Sequence, residues 1–217
     1  MIKTKFDLNE LHSFFFKHTF SSLSEFGFLN IQGNENKVSS TYIEKQTSHQ
    51  EYIDPLGVRY EQKLISYVEF DFLIEYIDKD YLLLSIINPP KSIKKFVSFI
   101  CESFNYMISF GAVNLCLIDV IDKIKSHSEI HLFVIKKINI SGLKLNDSST
   151  ASVEIISKNN ALKEVDIYTN GLSYSIEKIK GTMLFHDRKI GFEVSKSSLF
   201  ISDDEFEIGL FNKIIYK

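Results

Sequence analysis

From Val68 to Tyr76 the chain alternates. Val68, Phe70, Phe72, Ile74 and Tyr76 are interleaved with Glu69, Asp71, Leu73 and Glu75. A period of two places one set in a core and leaves the other mostly polar, which is the pattern of a half-buried strand. Such a strand needs hydrogen-bonded neighbours and a layer over its apolar face. Asp78-Lys79-Asp80 supplies a turn, and the more fully apolar Tyr81–Ile87 supplies a return strand, so the pair reads as a hairpin. The wider composition agrees. Nineteen Phe and ten Tyr provide strand-favouring aromatic mass, and three prolines leave few breaks in the sheet.

Two other segments carry a helical period. Leu8, Leu11, Phe15 and His18 recur along a helix that Asp7 or Asn9 would cap and that runs to about Phe20. Phe14 and Phe16 widen its apolar stripe, which must pack on its own domain or on a partner. After Pro89-Pro90, residues Ile93, Phe96, Val97, Ile100, Phe104, Met107 and Ile108 predict a second helix, with Ser92 as its cap. Lys91, Lys94 and Lys95 lie in or near its first turn, where they oppose the helix dipole. A bound anion would relieve that conflict, and a solvated face also accounts for it. Over Gly111–Ser126 the residues Leu117, Ile118, Ile121 and Ile124 favour a helix, against a strand pattern in Val113, Leu115 and Leu117. Residues 32–58 are polar and end in Asp54-Pro55 and Gly57, so they read as a long exposed loop with a short strand at Ser40–Ile43. This loop is either a surface excursion or a segment that orders on binding.

The last third reads as strand. Glu129–Ile138 is one, continuing past a bend through Leu143. Val153 and Ile155 begin another. Val165 and Ile167 pair with Tyr174 and Ile176 across Asn170-Gly171, a pair suited to a two-residue hairpin turn. Met183 and Phe185 face Ile190, Phe192 and Val194 across Asp187-Arg188-Lys189. Leu199–Ile201 and Phe206–Ile208 close the chain. The expected fold is therefore α+β. Residues 1–127 form a mixed part with two or three helices, and residues 128–217 form an antiparallel β-rich part, a sandwich or small barrel. No linker separates them, so a shared core is possible.

Composition narrows function mainly by exclusion. The formal charge is -3, and only Arg59 and Arg188 are arginines, which disfavours a dedicated duplex binder. Cys101 and Cys116 are spaced for neither a Cys-x-x-Cys redox site nor an all-cysteine zinc site. No signal-peptide pattern or membrane-length apolar run is present, so a cytoplasmic setting is expected. No glycine-rich phosphate loop, zinc-protease motif or nucleophile elbow occurs, and no cofactor is implied.

Several weaker constellations remain. His127, Glu129 and His131 alternate at a strand entry and offer zinc-type donors, though a wet polar row explains them too. His186-Asp187 could orient an imidazole base, but it sits at a turn with no nucleophile. Glu69, Asp71 and Glu75, or Glu193 with Lys196, could hold a divalent ion near phosphate. The lysine cluster at 91–95 and Lys136-Lys137 could touch a nucleic-acid backbone. The leading expectation is a non-enzymatic protein-binding or assembly component, with a protein partner or a homo-oligomer. Its candidate interface residues are Phe14, Phe15 and Phe16 on the first helix, and Tyr81 and Leu83 on the second strand of the hairpin. The alternatives are a metal-dependent nuclease or related nucleotide-acting enzyme, and a single-strand nucleic-acid binder.

Overall fold

The computed structural model describes residues 1–202 and 208–216. The chain divides into two compact units, Met1–Gly111 and Ala112–Lys217.

The first unit contains β1 (Ile2–Lys3), α1 (Leu8–Lys17), β2 (Phe26–Gly33), β3 (Lys37–Ile53), β4 (Arg59–Tyr76), β5 (Tyr81–Ile87), α2 (Lys94–Ser103) and β6 (Ser109–Phe110). The strands form one antiparallel sheet in the order β2-β3-β4-β5-β1-β6. Asp7 starts α1 through a reciprocal cap. Its carboxylate accepts from the Glu10 N–H at 2.8 Å, and Glu10 accepts from the Asp7 N–H at 2.9 Å. Helix α2 begins less tightly at Ile93, which has no side-chain cap, while Ser92 Oγ accepts from the Lys94 N–H at 3.4 Å. The core is built largely of rings. Phe15 meets Phe28 and Phe72, and Phe96 meets Tyr42, Phe70 and Phe72. These are apolar positions of β2, β3 and β4, joined to the inner faces of the two helices.

Residues 37–53 correct the reading of 32–58 as a loop. They form β3, paired with β4 in unbroken register from Lys37↔Glu75 to Ile53↔Arg59. Beyond Lys45 the strand is exposed on both faces, so it lacks the apolar alternation that would mark it in sequence.

The second unit contains α3 (Leu117–Ser126), β7 (Ile130–Asn146), β8 (Ser149–Ile156), α4 (Ala161–Thr169), β9 (Ser175–Phe185), β10 (Arg188–Ser195), β11 (Phe200–Ser202) and α5 (Ile208–Tyr216). Its antiparallel sheet runs β11-β10-β9-β7-β8. Apolar residues of α3, α4 and α5 join those of the sheet in one core, including Ile121, Val165, Ile214, Ile138 and Ile179. The unit is thus an open sheet layered with helices, where a sandwich or small barrel was expected. Strand β7 runs past the bend expected near Ile138 to Asn146, and its register against β8 shifts between Ile140 and Leu143, where Gly142 has a φ of +66°.

The residues around Val165 and Ile167 are helix α4 rather than strand. Ala161, Val165 and Thr169 are buried at a spacing of four, Asn160 Oδ1 accepts from the Leu162 N–H at 3.1 Å, and Asn170 closes the helix at φ 47°. The Asn-Gly pair therefore supplies a left-handed helix end and not a hairpin turn. In the β9–β10 hairpin the two turn residues are His186 and Asp187, one position earlier than the tip read from sequence. Of the expected closing strand Phe206–Ile208, Ile208 begins α5 and the rest lies outside the described residues.

Candidate functional site

The first unit carries one element that contributes little to its own core. From Gln46 to Tyr67 strands β3 and β4 continue as a two-stranded ribbon whose residues are exposed on both faces, apart from half-buried Asp54 at its turn. The eight paired positions from Gln46↔Ser66 to Ile53↔Arg59 span about 26 Å at strand rise. The tip is held by Asp54, whose Oδ1 accepts from the N–H groups of Leu56 at 2.8 Å and Val58 at 2.9 Å. Gly57, at φ +84°, supplies the left-handed position the turn requires. Leu56 stands at the tip and is 88% exposed.

The two faces of the ribbon differ chemically. Residues directly opposite each other share a face, so the register sorts them. One face holds Gln46, Ser48, Gln50 and Tyr52 against Ser66, Leu64, Gln62 and Tyr60, without a formal charge. Tyr52 and Tyr60 stack there with centroids 5.1 Å apart. The other face holds His49, Glu51, Arg59, Glu61 and Lys63 with Thr47, Ile53 and Ile65, and His49 Nδ1 lies 2.6 Å from Glu61.

The uncharged face continues the core face of the sheet. Val38, Ser40, Tyr42 and Glu44 precede it on β3, and Phe70, Phe72 and Ile74 follow it on β4, all buried. Coverage by α2 ends at Glu44, whose carboxylate accepts from Lys95 Nζ at 2.7 Å and Gln46 Nε2 at 3.0 Å. Both outer edges of the ribbon are also open. Strand β2 pairs with β3 only as far as Glu44, and β5 pairs with β4 only from Asp71 onward.

The residues singled out from sequence fall elsewhere. Phe14, Phe15 and Phe16 diverge around α1. Phe15 is fully buried, Phe14 is half-buried against Phe99 and Phe104, and Phe16 is 62% exposed. Strand β5 lies between β4 and β1, although β1 covers it only at Tyr81 and Leu82, and Leu83 is buried while Tyr81 is half-buried. The side chains of Phe15 and Leu83 are thus spent on the core. Lys95 is engaged with Glu44, while Lys91 and Lys94 are exposed.

His127 caps the end of α3 and Glu129 reaches His186 Nε2 at 3.7 Å, while His131 is exposed on β7. Among the described residues no three His, Cys, Asp or Glu side chains are grouped as a metal ion would require. Asp71 accepts from Thr41 Oγ1, Glu193 pairs with Lys178 at 2.9 Å, and Lys196 pairs with Glu177 at 3.3 Å. The acids considered for metal binding are therefore partly taken up in cross-strand contacts. Shallow depressions lie beside α1 (Asp7, Glu10, Phe14, Lys17) and beside α4 (Ile156, Lys158, Glu164, Tyr168).

The ribbon was missed because its composition is that of a loop. Its one legible signal was the Asp54-Pro55-Leu56-Gly57 turn midway between two stretches of Ser, Thr, Tyr and Ile. Among the described residues no helix is long and apolar enough to cross a membrane. No protein-family model matches the chain, and a search of curated proteins returned no significant match.

Proposed function

We propose that this protein is a non-enzymatic assembly component of a cytoplasmic complex, and that it engages a protein partner through the β3–β4 ribbon. The observation that carries the reading is a two-stranded element with two open edges and one uncharged face. An isolated hairpin is marginal in water, and open strand edges recruit other strands, so this element is suited to completion by a partner. Charge favours protein over nucleic acid. Residues 46–67 hold Arg59 and Lys63 against Glu51, Asp54 and Glu61, which leaves a formal excess of one negative charge on the ribbon with His49 neutral.

The test replaces residues 47–65 by an Asn-Gly turn between Gln46 and Ser66. Circular dichroism and thermal melting should show the folded units intact, because the removed residues contribute little to the buried core. Affinity capture from the native cells with both forms should recover a stoichiometric partner with the full chain and lose it with the shortened one. Equal recovery by both forms would overturn the ribbon as the binding element.

A further inference from the structure

The ribbon's β4 edge has properties that select its occupant. It is open from Arg59 to Phe70, bounded by the hairpin turn and by the onset of β5 pairing at Asp71↔Ile87. Over this length it contains no proline and no glycine, and β4 pairs with β3 without a register shift. Proline and bulges are devices by which proteins blunt an edge; charged side chains are another, and here they are Arg59, Glu61, Lys63 and Glu69, of both signs. Tyr60, Leu64, Ile65, Tyr67 and Val68 make the edge rich in strand-favouring side chains. The open edge of β3 is shorter, at Gln46–Ile53.

We propose that the occupant of this edge is a second copy of the same edge, paired antiparallel about a two-fold axis at Leu64; this rests on the ribbon being the interaction element. Symmetry restricts the register. A two-fold axis normal to the sheet sets one residue opposite itself, because directly opposed side chains must lie on one face. Using the full open edge leaves two centres, Leu64 and Ile65. Centring on Ile65 sets Glu61 against Glu69, a like-charge pair made twice. Centring on Leu64 sets Arg59 against Glu69, an opposite-charge pair made twice, with Tyr60 against Val68 and Leu64 against itself. The eleven positions from Arg59 to Glu69 span about 36 Å and would exchange about ten backbone hydrogen bonds. That number matches the direct hydrogen bonds of a standard protein interface.

The test uses the full chain in a Cys116→Ser background, since Cys116 is exposed. Leu64→Cys places two thiols at the axis, within disulfide reach of each other. Leu56→Cys is the control, being more exposed but remote from the axis. Mild oxidation should convert Leu64→Cys to a reducible covalent dimer and leave Leu56→Cys uncrosslinked. Arg59→Glu alone should weaken the dimer roughly tenfold by light scattering across a dilution series, and Arg59→Glu with Glu69→Arg should restore it.

A dimer indifferent to the charge exchange, or one that crosslinks equally through Leu56→Cys, would overturn the Leu64 register. A dimer that survives replacement of residues 47–65 would overturn both this pairing and the ribbon reading. A chain monomeric at all concentrations would overturn the second copy alone, and the comparative capture would then decide the ribbon reading separately.

Discussion

Two residues show how local chemistry is resolved inside the units. Tyr42 is buried among Phe28, Phe70 and Phe96, and its hydroxyl has no hydrogen-bond partner among the described residues. Burial, and then the nearby Glu44, push its pKa well above the ordinary tyrosine value. A buried hydroxyl without a partner carries a desolvation cost that phenylalanine does not. Tyr42→Phe should therefore leave stability unchanged or raise it by about 1–2 kcal/mol, measured by urea unfolding. A loss of more than about 1 kcal/mol would mean the hydroxyl is bonded.

Gly181 is the converse case. A Cβ there would collide with the Val134 carbonyl oxygen and lie 3.0 Å from Phe192. Gly181→Ala should cost about 1–3 kcal/mol, since the obstacle is backbone on the neighbouring strand. An unchanged melting temperature would contradict that packing. Neither property is legible in sequence, because both depend on which strand lies alongside.

Periodicity served well at the scale of elements where one face was buried and failed where local turn chemistry has two meanings. The inward stripe of α1 and the alternation of β4 from Val68 to Tyr76 were readable because each packs one face on a core. Helix α4 was not, because Asn170-Gly171 serves a hairpin and a helix end equally well. Two predictions separate these roles. Asn160→Ala should remove the α4 cap and cost about 1 kcal/mol; no change in thermal stability would argue against that cap. In the β9–β10 hairpin, His186 and Asp187 occupy left-handed conformations at φ 43° and 62°, a geometry that Asn-Gly adopts with less strain. His186→Asn with Asp187→Gly should raise stability by about 0.5–1 kcal/mol in the same assay. A decrease would show that the native pair makes a stabilising contact, for example between His186 and Glu129.

For the molecule as a whole, the candidate site lies where sequence patterning was least informative. The 46–67 ribbon is exposed on both faces, so neither apolar alternation nor helical period marks it, and only its tip turn is evident. The polarity of residues 32–58 marks a surface excursion or a segment that orders on binding, without marking a strand pair beyond Ile43. Of the apolar residues favoured as an interface, Phe15 and Leu83 are buried in the core, Phe14 and Tyr81 are half-buried, and Phe16 is exposed. What remained to be found was the pairing of β3 with β4, which is a property of register and not of composition.

Amide hydrogen exchange, followed by mass spectrometry in the assembled and dissociated protein, tests the ribbon most directly. Residues 46–67 should exchange quickly when dissociated, because a two-stranded ribbon has few buried hydrogen bonds. They should become protected on assembly, with Arg59–Glu69 protected most. Unchanged exchange across the ribbon, with new protection appearing elsewhere in the chain, would show that assembly uses another surface.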